Sequence, residues 1–164
     1  MIIRENDNRV DELEVAMLQE YEPIHFPLIH RFAKDMYIRE IFMPKGALLT
    51  SKIHKTQHPF TVAHGVAAVS IDGNEWEEFG APYTGITQPG TRRILYIIED
   101  CSWVTYHIIE GMKFEYNDLS YEEIQKIVDK IEDDILEPHI NYITGTNINE
   151  DYKRLLNNIK NIEL

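Results

Sequence analysis

The sequence predicts a mainly β protein. The expected architecture is a single antiparallel β-barrel or double-sheet sandwich, preceded by an N-terminal arm and short helix and followed by two amphipathic helices. Three observations predict it. About seven or eight short strand-like runs crowd residues 36–110. Glycine, proline and Asp-Gly turns separate them, and no helical period between them is long enough for a crossover connection. With 164 residues, 43% of them hydrophobic, the chain suffices for one domain with a buried core.

Residues 1–35 open with a polar arm. In "VDELEVAMLQEY", Val10, Leu13 and Met17 fall at helical spacing, with Val15 and Leu18 beside them, which predicts a short helix. Pro23 and Pro27 then force an extended or turning path. His25 and His30 in this stretch read as solvent-facing or capping residues. Residues 36–110 carry the barrel. "MYIREIFM" alternates and stops at the Pro44-Lys45-Gly46 turn, and "ALLTSKIH" and "FTVAHGVAAVSI" follow. Asp72-Gly73-Asn74 is a hairpin signal, and "EWEEFGAPYTGITQPG" offers short, interrupted strands. "RRILYIIED" and "SWVTYHII" read as two further strands divided at Glu99-Asp100. Residues 111–164 are helical. Ser120 and Glu123 form a capping box, and Ile124, Ile127, Val128, Ile131 and Ile135 make one apolar face. Leu155, Leu156, Ile159 and Ile162 mark a second helix after the break at "EPHINYITGTN".

Charge narrows the function. Sixteen basic against 28 acidic residues give a net charge of −12, which disfavours sequence-independent nucleic-acid binding. The acidic excess lies at the two ends, so Arg92-Arg93 stands as a local basic spot. The single cysteine, Cys101, excludes an intrachain disulfide and a cysteine-rich zinc module; placed on a hairpin, it reads as structural. The first residues lack the basic and apolar regions of a secretory signal, and no apolar run approaches about 18 residues. A soluble protein without a membrane partner is expected.

"KIHKTQHPFTVAHG", residues 52–65, concentrates three histidines. Strand period puts Thr50, Lys52 and His54 on one face, expected to line a wet lumen, and Leu49, Ser51 and Ile53 on the other. Arg93, Leu95, Ile97 and Glu99 share a face in one late run, and Trp103, Thr105 and His107 in the next. On a continuous strand His54 and His58 would stand roughly 13 Å apart, so a common site requires a bulge or turn through Lys55–Gln57. Given that turn, His54, His58 and His107, completed by Glu99 or water, would hold zinc, manganese, iron or nickel. A second chemistry is anion recognition. Lys52, Arg92 or Arg93, and the histidines would present donors to a carboxylate or phosphate, with Trp103 as an apolar wall. A sugar phosphate, a nucleotide or a similar acidic metabolite would suit such a pocket. The competing structural reading pairs Arg93 with Glu99, or Arg39 with the neighbours of Glu40, in structural ion pairs. His64, before Gly65, and His139, in the helix break, read as scaffold.

"REIFMPKG", "KIHKTQHPF", "PGTRR" and the Glu99-Asp100…Trp103…Thr105…His107 run together resemble a group of small cupin-like proteins found in tailed bacteriophages and bacteria. The resemblance spans roughly residues 29–110, about half of this chain. It implies a cupin-like barrel of double-stranded jelly-roll type and brings no reaction with it. In the wider cupin superfamily the first motif runs His-x-His, then Glu, then Gly. Here Gly65 matches the glycine, His58 stands at the glutamate, His54 at the second histidine and Lys52 at the first. Pro89 and Gly90 match the second motif, with Arg93 at its histidine. Two of four ligand positions thus hold cations, which argues against the ordinary metal set and for an anion. Metal-free sugar epimerases of the superfamily suggest a third chemistry, with His54 or His107 as base and Tyr96 or Tyr106 as acid, although those tyrosines have the opposite parity. The resemblance also implies a homodimer or higher homo-oligomer, for which the arm "MIIREND" could exchange. It further implies a place in the host cytoplasm during infection, in a virion, or in a bacterial cytoplasm. The expected function is binding of a small polar or anionic ligand inside the barrel, acting on or sequestering a host metabolite or nucleotide. The alternatives are a virion or assembly protein, docked on virion neighbours with a vestigial pocket, and a metal-dependent enzyme.

Overall fold

Alternation along two long strands rolls one sheet around a single apolar interior. The computed structural model describes residues 7–71, 73–137 and 144–147. In chain order the elements are α1 (Asp7–Glu20), β1 (Leu28–Ala33), β2 (Met36–Met43), β3 (Ala47–Thr50), β4 (His58–Ser70), β5 (Glu77–Gly80), β6 (Tyr83–Thr87), β7 (Ile94–Ile108), α2 (Tyr121–Ile135) and β8 (Thr144–Asn147), with a 3-10 turn over Phe114–Asp118 before α2. Every pairing is antiparallel, as the short connections require. The mainly β, antiparallel class expected from the sequence is the one observed.

Strand β7 is the spine. Its C-terminal half pairs with β2 and its N-terminal end with β3, while its other edge pairs with β4, which in turn carries β5 and β6. Met43, Leu49, Phe60, Val62, Ala67, Val69, Phe79, Leu95, Ile97, Cys101 and Trp103 from five strands meet in one core, which closes the sheet on itself. The run expected as two strands divided at Glu99-Asp100 is therefore one strand, and Cys101 lies fully buried within it, not on a hairpin. Burial raises the Cys101 thiol to about 11, as befits a structural residue. Sheet pairing also begins earlier than residue 36: β1, within the segment expected as arm, pairs along its length with β2.

Among the described residues two helices cover the outside. Val10, Leu13 and Met17 of α1 pack on Leu48 and Ile94. A buried polar knot pins α1 in register: Arg92 donates to Glu14 at 2.7 Å and ion-pairs with Asp11 at 2.8 Å, and Thr50 donates to Glu14 at 2.7 Å. Helix α2 starts at the expected capping box of Ser120 and Glu123 and buries Val128 and Ile131 against Phe32 and Tyr37. The second predicted C-terminal helix, with Leu155, Leu156, Ile159 and Ile162, lies outside the described residues, as do His139, Asp72 and the arm through residue 6.

Candidate functional site

The three candidate histidines converge because the chain between the first two is not a strand. β3 ends at Thr50, residues 51–57 run irregularly through a bend at Lys55-Thr56, and β4 begins at His58. This is the turn through "KTQ" that a shared site requires. It brings the His54 and His58 rings to 4.4 Å between centroids instead of an extended strand's span. His107, inward-facing on β7, completes the group at 5.1 Å from His54 and 4.6 Å from His58. One ligand nitrogen from each lies within 4.8 Å of the others. The turn at Pro89-Gly90 helps hold His54: the Gly90 amide donates to the His54 carbonyl at 2.9 Å, and Gly90 takes a φ of 80°.

All three imidazoles are held neutral. Burial, followed by the neighbouring imidazoles and the Arg39 and Lys52 cations, lowers His54 to about 2. Burial, His58 and Arg39 lower His107 to about 3. Burial also lowers His58, with Arg93 adding to the shift against the Thr56 carbonyl. That carbonyl, 3.2 Å from His58 Nδ1, can only accept, so Nδ1 carries the proton and Nε2 keeps its lone pair. His107 places Nε2 3.0 Å from Thr105 Oγ1, while its buried Nδ1 has no hydrogen-bond partner among the described residues. Neutral rings with free lone pairs and one orphaned buried nitrogen fit a divalent ion's donor set. Donors sharing a tetrahedral ion stand roughly 3.3 Å apart, so the observed spread needs a contraction of about 1.5 Å at most.

Beside the histidines lies a cavity of about 80 Å³ lined by, among others, Arg39, Lys52, His54, His58, Arg93 and Trp103. The six residues expected to bind ligand thus divide simply: Lys52, His54, His58, Arg93 and Trp103 line the cavity, and His107 joins it through the histidine cluster. Lys52 is engaged, donating to Glu132 of α2 at 2.9 Å; burial and Arg39 lower its ammonium against that carboxylate. Arg93 donates to Thr87 Oγ1 at 3.0 Å and lies 5.1 Å over the Phe60 ring, and burial lowers it. Trp103 stacks on Phe60 at 4.6 Å, making the apolar wall.

Several expectations fail for identifiable reasons. Glu99 is exposed, so it neither completes the metal shell nor pairs with Arg93; the β4–β7 register shifts between Val62 and Ala67, opposite this part of the strand. Arg92 turns outward to Glu14 and Asp11, so of the Arg92-Arg93 pair only Arg93 lines the cavity. Within β3 the faces are reversed: Leu49 enters the barrel core and Thr50 meets α1, because the helix outside supplies Thr50 with a buried carboxylate. Past the strand end both Ser51 and Lys52 reach the cavity. Tyr96 packs on the outer cluster and Tyr106 reaches Thr61 at 3.5 Å, so neither serves the histidines as an acid. The tyrosine beside His107 is Tyr37, its ring stacked at 5.8 Å. His30 is half-buried and bonds the Tyr37 hydroxyl at 2.6 Å, whereas His25 and His64 are exposed as expected. Arg39, expected only in a structural ion pair, lines the cavity instead, as "MYIREIFM" signalled: Tyr37, Arg39, Ile41 and Met43 alternate inward, register-paired with His107, Thr105, Trp103 and Cys101.

No protein-family model and no curated protein sequence matches the chain. Solved structures do. A cupin superfamily protein from Desulfitobacterium hafniense DCB-2 aligns at 9% identity and TM-score 0.44, covering 59% of this chain and 89% of its own. A cupin-2 domain containing protein from Shewanella frigidimarina aligns at 13% identity and TM-score 0.41, covering 65% and 94%. Ectoine synthase from P. lautus aligns at 10% identity and TM-score 0.47, covering 77% and 86%. In the described residues no helix is long and apolar enough to cross a membrane.

Proposed function

We propose that this chain is a small-molecule-binding protein of cupin type, in which His54, His58 and His107 hold a divalent metal ion and the adjoining cavity takes a small polar or anionic ligand. The observation that carries this reading is the convergence of three buried, neutral imidazoles, their ligand nitrogens within 4.8 Å, on a cavity that also holds two arginines. An all-imidazole set suits zinc, iron or nickel better than manganese. A bound ion would supply Lewis-acid polarisation of a ligand oxygen. The chain's own groups do the rest: Trp103 and Phe60 give an apolar wall, Arg39 and Arg93 attract negative charge, and the Lys52–Glu132 pair ties α2 across the rim.

Of the cations beside the histidines Glu132 answers Lys52, and the charge of Arg39 and Arg93 that a metal ion would face is one an anionic ligand in the cavity would offset. Self-association is part of the reading: the edge strand β1 leaves Leu28 and Ile29 exposed, and Phe42 beside it is exposed as well. A role in phage infection follows from the sequence resemblance alone and is tested with the rest.

Elemental analysis of protein purified without chelator tests the metal, with about one ion per chain expected. A thermal-shift screen of metabolites tests the cavity. Metal-free protein that takes up no ion, responds to no ligand and co-sediments with virions would replace this reading with the structural one.

A further inference from the structure

Among the described residues, two guanidinium groups in the cavity have no carboxylate to answer them. Lys52 has Glu132, Arg31 has Glu40, and Arg92 has Asp11 and Glu14. Among the described residues neither Arg39 nor Arg93 makes an ion pair, and the Nε of Arg39 is buried without a hydrogen-bond partner. The protein around them carries a net charge of −12, so acidic residues are abundant but are not placed here. A largely desolvated guanidinium without a counter-charge is costly, so an anion entering the cavity would relieve both.

The two arginines flank different members of the histidine cluster. Arg39 is register-paired with Thr105, whose hydroxyl is 3.0 Å from His107. Arg93 donates to Thr87, which is register-paired with His58. Arg39 and Arg93 thus come from different strands and reach the cavity by different neighbours, one tied to the His107 strand and the other to Thr87 opposite His58. A cavity of about 80 Å³ admits roughly five to eight non-hydrogen atoms. From this arrangement we propose that the ligand is a small dianion of the dicarboxylate class, one carboxylate met by Arg39 and the other by Arg93, with its backbone lying against the histidine centre. Arginine's planar fork suits carboxylates at both ends. The inference rests on the cavity being a ligand site and adds the ligand's charge and shape.

Titration calorimetry on the full chain, zinc-loaded and metal-free, tests it with malonate and succinate against acetate, butyrate, succinamate and inorganic phosphate. Succinate should bind about tenfold or more tightly than succinamate, which has the same length and one charge fewer. Arg39→Gln and Arg93→Gln should each bring succinate down to the level of succinamate. Should either variant fail to fold, the comparison of succinate with succinamate in the unaltered protein decides alone. Equal binding of the two overturns the dianion while leaving the ligand-site reading standing. Phosphate binding as tightly as malonate overturns the two-ended geometry. No binding of any carboxylate, together with no metal uptake, removes both.

Discussion

A methyl group at Gly65 has no space to occupy. Gly65 sits inside β4 at a φ of 80°, and a Cβ there would stand 2.0 Å from the Asp100 carbonyl oxygen of β7. Backbone is what it would strike, so no rotamer change relieves it. The left-handed φ adds its own cost to any L side chain. Gly65→Ala should therefore destabilise by about 3 kcal/mol or more, read as a fall in the urea midpoint. Its neighbour His64 is exposed and outside the histidine cluster, which makes it the matched control for the site. His54→Ala, His58→Ala and His107→Ala should each reduce metal content at least about tenfold, since three donors are the usual minimum for a protein zinc site. His64→Ala should leave it unchanged. Retention of metal by all three cluster variants would remove the proposed centre.

At the scale of elements, α2 matters because its end meets the site. Lys55 donates its amide to the Ile135 carbonyl at 2.7 Å, Glu137 donates to Ile53 at 2.9 Å, and His54 bridges to Leu136. The irregular segment carrying His54 is thus held by the helix's last turn. Ser120→Ala, removing the capping box at the other end, should cost about 1 kcal/mol in denaturant unfolding. Ile131→Ala should cost about 2–5 kcal/mol and weaken metal binding as well, because the buried helix face sets that last turn. An unchanged metal affinity in a folded Ile131→Ala protein would separate α2 from the site. Elements were legible in the sequence where period and caps agreed: the α1 stripe, the Ser120 box and the alternation in β2. The β3 faces were not, because the partner that draws Thr50 outward is Glu14, 36 residues away in sequence. Nor could one strand be seen through Glu99-Asp100, since the charges there face solvent from a strand whose pairing partner slips register. The histidine convergence was legible only as a condition, a turn at Lys55–Gln57, because sequence period assumes a regular strand.

The whole molecule couples this site to acid. His30, His54, His58 and His107 all sit below the ordinary imidazole value of 6.5, burial being the first cause in each. The unfolded chain takes up these protons near 6.5 and the folded chain does not. Stability is therefore fully present above about pH 6.5 and is lost as pH falls from there toward the folded values. Each imidazole contributes up to about 1.4 kcal/mol per pH unit in that window. Between pH 7 and 5 the urea midpoint should fall as these histidines resist protonation in the folded chain. His107→Gln should flatten the slope. Added zinc, which binds the folded state, should shift the fall to lower pH. A midpoint flat from pH 7 to 5 in metal-free protein would mean that the imidazoles are solvated, and the buried centre on which the functional reading stands would go with them. The same preparations, run by sedimentation velocity, test the exposed β1 edge. A homodimer that Ile29→Lys converts to monomer is expected, because a charge on an open edge strand blocks edge-to-edge pairing. A monomer at all concentrations would confine the function to the single barrel.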